Sequence, residues 1–373
     1  MKITFASDAD LPSTSAHAVA TLHMTAAMGE IGHDVLLLAP WHTGRARDEA
    51  AMRAELGLRG PFTLHYVPFV SLRGRFRGSY LAIATTIARA NGGLVYTRNV
   101  RQALMAARLG LRVVVETHQT FASARWLGAA RLLARHPRLV RWIFISRKLQ
   151  DLIGEVVDLP MDRCLVAHSG VDIDRFTPVL ERNEARRRVG LPTDRTLIVH
   201  SGHMYEGRGI ELLIEAASEL PNTELVLLGG TASDVVRIRS RAGDSVRVIG
   251  HRPLGEVPTW LFASDVLVMP YTSATTTSDG RTRSIEWASP MKLFEYLAAG
   301  RAIVSTRFPG LAEVLVDGHN ARLVEPDRPE ALRSALLELV ADSARRSELG
   351  TRAREATPAF SWRERARRVL DGL

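Results

Sequence analysis

Three glycines and an arginine follow an apolar run in HSGHMYEGRGIELLIEAA, residues 200–217. The glycines, which let the backbone turn tightly and approach a ligand, are Gly202, Gly207 and Gly209. Apolar periodicity from Ile210 predicts an amphipathic helix, whose N-terminus offers unpaired N–H groups and a positive dipole end. Arg208 adds a planar fork of donors that suits phosphate oxygens, and His203 lies close by in the sequence. The segment therefore predicts a phosphate-binding loop.

The spacing of Gly202 and Gly207 is the same as that of the two glycines in a Walker A loop. That loop needs Lys followed by Ser or Thr where this chain has Arg208 and Gly209. Because Gly209 has no hydroxyl group for Mg²⁺, the loop can hold a diphosphate but lacks the groups for phosphoryl transfer. An ordinary glycine-rich turn with a surface arginine is the alternative.

A second segment whose residues could bind a ligand is WASPMKLFEYLAAGRAIVS, residues 287–305. Pro290 suits a first helical turn, and Gly300 suits a helix end. Lys292 and Glu295 are three residues apart and share a face of that helix. The carboxylate could accept two ribose hydroxyls and the lysine could meet a phosphate. A surface ion pair on a capped helix is the alternative.

Strand-like apolar runs alternate with helix-like patterns along the whole chain. The runs are continuously apolar, which is typical of parallel strands covered on both faces. We predict strands at 2–7, 34–39, 63–68, 94–98, 112–118, 141–146, 164–168, 196–201, 224–230, 246–250, 265–270, 302–306 and 321–324, and helices including 13–31, 100–109, 210–220, 253–263, 291–299 and 329–341. The rhythm restarts after the charged stretch 180–195, so we predict two doubly wound α/β domains. Ligands of such sheets bind beyond the C-terminal ends of the strands.

The composition narrows the class of protein. A length of 373 residues suits two domains. No run approaches the roughly 18 apolar residues that span a bilayer, and the start MKITFASD lacks the pattern of a signal peptide. The single cysteine, Cys164, excludes an internal disulfide. These features predict a cytoplasmic protein.

Positive charge is concentrated in the first half of the chain. Residues 1–180 hold 22 Lys and Arg against 14 Asp and Glu, whereas the remainder holds 27 against 26. Arginines mix with apolar residues at 71–80 and 124–142. Such surfaces can meet nucleic acid, an anionic membrane or an acidic substrate. A solvated basic surface with no partner is the alternative.

Taken together, the two glycine-containing segments resemble the C-terminal domain of the family 4 glycosyltransferases, retaining enzymes of the GT-B fold. The resemblance extends along the chain through IGHDVLLLAP (31–40), CLVAHSGVDIDRFTP (164–178), ASDVLVMPYTS (263–273) and FPGLAEVLVDGHNARLVEPDRPEAL (308–332). SPMKLFEYLAAG (289–300) is the form found in one branch of the family. The resemblance implies two Rossmann-like domains facing across a cleft. We expect an acceptor-side domain at 1–178, a nucleotide-sugar domain at 179–357, and a helix at about 358–373 that packs back on the first domain.

The resemblance also implies the residues of the site. Arg208, His118 and Lys292 are expected to be catalytic. The residues expected to contact the donor are Gly202, His203, Arg208, Arg252, Ser289, Pro290, Met291, Lys292, Glu295 and His17. His203 and Arg208 stand where the family has Arg and Lys. The first glutamate of the family's pair falls on Trp287, with Glu286 one residue away, so the group that contacts the donor sugar is open.

The implied reaction moves a sugar from a nucleotide diphosphate sugar to a hydroxyl group with retention of configuration. Helix dipoles and cationic side chains would stabilise the departing diphosphate. We therefore expect no metal and no other cofactor. The pair Asp8 and Asp10 is the candidate metal site if this is wrong, whereas Asp172 and Asp174 are expected to cap or hinge the connection between domains. In the front-face attack that the resemblance implies, the leaving phosphate accepts the proton of the acceptor hydroxyl, so no protein base is essential.

Several alternatives follow from the same residues. A nicotinamide enzyme is excluded because DADLPSTS follows the first strand where G-x-G-x-x-G would be needed. A binding protein on a glycosyltransferase scaffold and a GT-B nucleotide-sugar epimerase stay open. The acceptor is expected to be lipid-linked or acidic, with the protein peripheral on the inner face of a membrane and without nucleic acid partners.

Overall fold

The computed structural model describes residues 1–13, 15–41, 48–68, 77–121, 123–205, 207–243, 245–276 and 284–373. The chain divides into two compact units. The first domain is Met1–Gly170 with Ser361–Leu373, and the second domain is Val171–Phe360. The segment 71–76, which holds part of the predicted Arg-rich surface, lies outside the described residues.

The first domain is built on a parallel sheet. Its seven described strands are β1 Lys2–Ala6, β2 Asp34–Trp41, β3 Thr63–Pro68, β4 Leu94–Thr97, β5 Arg112–Thr117, β6 Leu139–Phe144 and β7 Cys164–Val166. Their order across the sheet is β3-β2-β1-β4-β5-β6-β7. The order reverses beside β1, so the C-terminal ends of β1 and β4 border the position where such folds bind ligands.

The second domain repeats this plan. Its six described strands are β8 Thr196–Gly202, β9 Thr223–Gly229, β10 Val246–Gly250, β11 Val266–Met269, β12 Ala302–Thr306 and β13 Arg322–Val324, in the order β10-β9-β8-β11-β12-β13. Leu197 and Val199 of β8 pack into one apolar core, and Ile198 packs into another on the opposite face. Burial on both faces explains why the strands read as continuous apolar runs.

Helices cover both sheets. They are α1 Ala16–Glu30, α2 Glu49–Leu56, α3 Arg77–Asn91, α4 Val100–Arg108, α5 Ala124–Ala134, α6 Arg147–Gly154, α7 Arg182–Val189, α8 Ile210–Ala217, α9 Ala232–Arg239, α10 Val257–Phe262, α11 Met291–Ala299, α12 Pro309–Ala312, α13 Pro329–Ala341, α14 Ser343–Ala356 and α15 Trp362–Leu370. Among the described helices, none combines the length and the apolar character that a bilayer crossing requires. The predicted fold class, two doubly wound Rossmann-like α/β domains, is confirmed.

Local capping explains where the observed helices differ from the predicted ones. The predicted helix 13–31 begins only at Ala16, because the Ser15 hydroxyl accepts the Ala18 N–H and caps it. The predicted helix 210–220 ends at Ala217, ahead of Pro221, which cannot continue a helix. At the C-terminal end of α11, Gly300 adopts a φ of 63° and terminates the helix as predicted.

The domain boundaries differ from the predicted ones. We expected the first domain to end at 178, but the division falls between Gly170 and Val171. The reason is packing, since Val171 and Phe176 are buried in a core of the second domain. The chain returns to the first domain at Ser361, a few residues after the predicted 358. There α15 packs against α1.

Candidate functional site

The loop between β8 and α8 carries the predicted phosphate-binding residues. It leaves the C-terminal edge of the second sheet at Gly202 and enters α8 through Gly209. Gly209 has a φ of 75°, and a Cβ there would overlap the carbonyl oxygen of Pro270, so this position requires glycine. No side chain within the described residues caps the N-terminus of α8. Its first N–H groups are therefore open to an anion.

Residues from the loop after β11 hold this loop in place. The Gly207 carbonyl oxygen accepts hydrogen bonds from Thr272 Oγ1 at 2.7 Å and from Thr275 Oγ1 at 2.6 Å. Tyr205 donates its hydroxyl to the carbonyl oxygen of Thr276 at 3.3 Å. The shape of the loop is thus fixed by hydrogen bonds within the domain.

Arg208 lies partly buried between two tyrosines. Its guanidinium donates to the Tyr205 hydroxyl, and its Cζ lies 4.5 Å from the Tyr205 ring centroid and 5.5 Å from that of Tyr271. The buried Nε has no hydrogen-bond partner among the described residues. Because a buried donor without a partner is costly, a ligand that supplies a hydrogen-bond acceptor to the Nε of Arg208 would bind favourably at this loop.

Lys292, in the first turn of α11, reaches back to the same loop. Its Nζ lies 3.5 Å from Nε2 of His200, and a Cβ on Gly202 would come within 2.5 Å of that Nζ. The amine therefore lies against the backbone at Gly202. Burial, followed by the positive charge of Arg208, lowers the pKa of Lys292 to about 7.

His200 provides the surface on which Lys292 rests. The ring is fully buried, and its Nδ1 donates to the Val268 carbonyl oxygen at 3.0 Å. Burial and then the charge of Lys292 hold the pKa of His200 well below its ordinary value. The ring is therefore neutral, with its proton on Nδ1, and Nε2 accepts a hydrogen bond from the lysine amine.

The start of α11 is the second helix N-terminus near this loop. Pro290 occupies the cap position without a side-chain hydrogen bond among the described residues, and Ser289 before it is buried. The Tyr296 hydroxyl accepts the Ser201 N–H at 2.8 Å, which ties α11 to the end of β8. Glu295 is partly buried, and burial raises its pKa although Arg175 and Lys292 oppose the shift.

Two predicted donor contacts lie at the margin of this group. His203 lies at the start of the loop with much of its surface exposed, and the partial loss of solvent around its ring, followed by the charges of Arg208 and Lys292, lowers its pKa. Arg252 follows the edge strand β10, is exposed, and lies 5.8 Å from the Trp260 ring centroid. Its neighbour His251 is close enough to His203 to contribute to the lowered pKa.

Trp287 occupies the position of the missing glutamate, and Glu286 lies next to it. Trp287 is buried, and Gly310 packs against its backbone closely enough that a Cβ there would clash. Glu286 is exposed. The apolar ring at 287 therefore contributes to packing.

The first domain brings together its two predicted histidines. His17 lies in the first turn of α1, with its Nε2 3.7 Å from Asp8 Oδ1, just beyond the end of β1. Burial, then the charges of Arg98 and His118, lower the pKa of His17 to about 4, although Asp8 opposes the shift. His118 directly follows β5 and contacts Glu116 through Nε2.

Four functional groups were not identified from the sequence. Glu116, Arg98 and Arg365 form a buried charged cluster behind His118, and His200 supports Lys292. One signal was available, because Arg365 falls among Trp362, Ala366 and Val369 on the apolar face of α15. A charged residue on an apolar face indicates a buried partner.

Among the described residues, no group of three or more His, Cys, Asp or Glu side chains is arranged so that it could hold a metal ion. Asp172 caps a short 3-10 helix, Ile173–Phe176, by accepting the Asp174 N–H at 3.2 Å, in keeping with its expected role.

Comparison with known proteins identifies both domains. Residues 17–175 match the model described as "Glycosyltransferase Family 4", and residues 195–342 match "Glycosyl transferases group 1". A D-inositol 3-phosphate glycosyltransferase of Xylanimonas cellulosilytica is 30% identical over 261 residues, which are 66% of this chain and 59% of the relative. A second D-inositol 3-phosphate glycosyltransferase, from Corynebacterium urealyticum, is 27% identical, and the match covers 59% of this chain and 53% of that relative. The chain thus spans just over half the length of these curated relatives.

Solved structures extend the likeness in fold to the whole chain. Anabaena Alr3699/HepE in complex with UDP has a TM-score of 0.75 at 15% identity, and the match covers 100% of this chain and 99% of that one. A glycosyltransferase from Rickettsia africae has a TM-score of 0.76 at 14% identity, with all of both chains covered. From the two matched domains, the chain belongs to the glycosyltransferases, with the family 4 domain followed by the group 1 domain.

Proposed function

We propose that this protein is a retaining hexosyltransferase that moves a sugar from a nucleotide diphosphate sugar to a hydroxyl acceptor. The observation that carries the proposal is the arrangement around Gly202. There the orphaned donor of Arg208, the amine of Lys292 and the uncapped N-terminus of α8 lie at one loop. Each of these groups favours a diphosphate, and glycine leaves the backbone accessible to it.

The proposed role of this loop is to stabilise the leaving group of the reaction. As the sugar departs, negative charge accumulates on the diphosphate, and preorganised donors lower the energy of that state. Arg208, Lys292 and the helix N-termini supply the positive potential that a divalent ion supplies elsewhere, so the proposed reaction is metal-independent. Glu295, on the next turn of α11, is proposed to accept ribose hydroxyls, and His203, Arg252, Ser289, Pro290 and Met291 complete the proposed donor contacts. His17 and His118 of the first domain are proposed to face the sugar.

The acceptor is proposed to be acidic. The first half of the chain carries nearly all of the net charge, +8 of +9, and the curated relatives are named for an inositol phosphate. On α5, Arg125, Arg131 and Leu132 are exposed, a surface that suits the anionic inner face of a membrane. We propose a cytoplasmic protein, peripheral on that face, in the branch with the SPMKLFEYLAAG form of the donor-binding motif.

Calorimetry with UDP, GDP, ADP and dTDP tests the donor half of this proposal. A diphosphate at 100 times its Kd should stabilise the protein by about 2.7 kcal/mol, which a melting-temperature shift would register. Transfer is then measured from the matching nucleotide sugars, with D-inositol 3-phosphate as the first acceptor. Absence of binding by every nucleotide would refute the proposal, whereas binding without transfer to any acceptor would favour a non-catalytic binding protein.

A further inference from the structure

A fully buried carboxylate lies directly behind His118. Glu116 Oε1 contacts Nε2 of His118 and lies 3.3 Å from an Nη of Arg98. Its Oε2 accepts from the Tyr96 hydroxyl and lies 3.0 Å from an Nη of Arg365. Four donors therefore saturate one carboxylate, which is the complete complement that its two oxygens can accept.

This carboxylate is ionised. Burial alone would raise the pKa of Glu116, but the charges of Arg365 and then Arg98 outweigh it and hold that pKa well below the usual range. An ionised carboxylate can only accept hydrogen bonds, so the nitrogen that faces it carries a proton. The proton of a neutral His118 is consequently on Nε2, and Nδ1 is the acceptor nitrogen.

The cluster also controls the charge of His118. Burial and then Arg98 lower the pKa of His118, Glu116 raises it, and Arg365 lowers it again. His17 of α1, whose own pKa is lowered, lies close enough to His118 for the charges of the two rings to influence each other. Two arginines against one carboxylate leave an excess positive charge beside the ring, and this excess disfavours the imidazolium.

We propose that Glu116 and Arg365 are positioning residues for His118: Glu116 holds the proton of the neutral ring on Nε2, so that Nδ1 is the acceptor for a substrate hydroxyl, and Arg365 offsets the charge of Glu116 and so keeps the ring neutral. The contact with a hydroxyl rests on the proposed transferase function, but the protonation state of the ring does not. Arg365 is unusual as a positioning residue because it comes from α15, at the opposite end of the chain from the rest of the cluster.

A purely structural role for Arg365 is the competing explanation. Its Nε donates to the His168 carbonyl oxygen at 2.6 Å and an Nη donates to that of Ala167 at 3.1 Å, so it also ties α15 to the end of β7. Loss of stability alone cannot separate the two roles. The state of the His118 ring can, because a helix tether has no influence on which nitrogen carries the proton.

The experiment is ¹⁵N NMR of histidine-labelled full-length protein, with the His118 signals identified by their loss in His118→Gln. In the wild type we expect a neutral ring at pH 7 with its proton on Nε2. In Arg365→Met the excess positive charge is gone, so the His118 pKa should rise. Arg365→Lys keeps the charge and should bring that pKa back towards the wild-type value. Arg367→Met is the matched control, since Arg367 on the same helix is exposed and pairs with Glu364.

Turnover provides the second readout. Arg365→Met should lower kcat/KM roughly tenfold to hundredfold, the effect of losing one buried hydrogen-bond acceptor, while UDP affinity stays within about twofold. A wild-type His118 that is charged at pH 7, or protonated on Nδ1, would overturn the proposal even if no variant folds. An unchanged His118 pKa in folded Arg365→Met would do the same. Failure of all sugar transfer would count against the transferase function, and the NMR result would still decide the role of Glu116 and Arg365.

Discussion

Lys292 makes the binding of a diphosphate dependent on pH in a direction that can be stated in advance. Its pKa is about 7 in the free protein, chiefly because of burial. A diphosphate beside Nζ favours the ammonium and returns the pKa towards the ordinary value of a lysine. Binding above pH 7 must therefore take up a proton, and affinity must fall as the pH rises.

The magnitude follows from the fraction of amine that is already protonated. At pH 7 about half of the amine is charged, and at pH 9 about one hundredth is. The Kd for a nucleoside diphosphate should therefore increase about fiftyfold between pH 7 and pH 9, or about 2.3 kcal/mol. Other groups titrate outside this window: the second ionisation of a terminal phosphate has a pKa near 6, the pKa values of His200 and His203 are lowered, and that of Tyr271 is raised.

Isothermal titration calorimetry with UDP in two buffers of different ionisation enthalpy measures both the Kd and the protons taken up. Lys292→Arg should bind with a nearly constant Kd across this window, because a guanidinium stays charged. Lys148→Arg in the first domain is the matched control and should keep the wild-type slope. A wild-type Kd that does not change from pH 7 to pH 9 would refute the reasoning, and so would an equal slope in Lys292→Arg.

Three further predictions follow. Arg208→Ala should reduce turnover by about 100-fold or more while leaving the melting temperature nearly unchanged, since its charge serves the leaving diphosphate; equal turnover, or collapse of the fold, would contradict this. Activity should survive EDTA, and loss with EDTA that Mg²⁺ or Mn²⁺ restores would instead implicate Asp8 and Asp10. Binding to anionic vesicles should weaken steeply as the salt concentration rises, because surface attraction fades within a Debye length of about 8 Å at physiological salt. The double variant Arg125→Ser and Arg131→Ser should bind vesicles more weakly and keep its nucleotide affinity. Co-sedimentation with vesicles that does not change with salt would rule out the membrane surface.

Periodicity was sufficient for most of the fold. Each of the described strands overlaps a predicted one, because parallel strands buried on both faces produce apolar runs that turn residues separate sharply. The helix 291–299 was predicted to the residue, since a proline before it and Gly300 after it give unambiguous ends. The structure divides after Gly170 and not at the predicted 178, because composition marks the charged linker, whereas the division depends on where Val171 and Phe176 are buried.

The site was harder to predict in those parts that depend on long-range contacts. Arg208 and Lys292 could be singled out from local motifs alone. His200 could not, because its role arises from the approach of α11, more than 90 residues further along the chain. Glu116 and Arg365 are 249 positions apart in the sequence and meet only through the fold. The only local indication of such a pair is that Arg365, a charged residue, lies on the apolar face of α15.

The return of the chain to its first domain has a consequence for synthesis on the ribosome. The 190 residues of the second domain, Val171–Phe360, must all be translated before Ser361–Leu373 appear. At about 5 to 20 residues per second this takes about 10 to 40 s. Throughout that interval Glu116 is without Arg365 and the surface of α1 that α15 covers is open to solvent. The half of the protein that is made first is therefore the last to be finished, and a chain that ends at Phe360 contains all of the second domain but only part of the first.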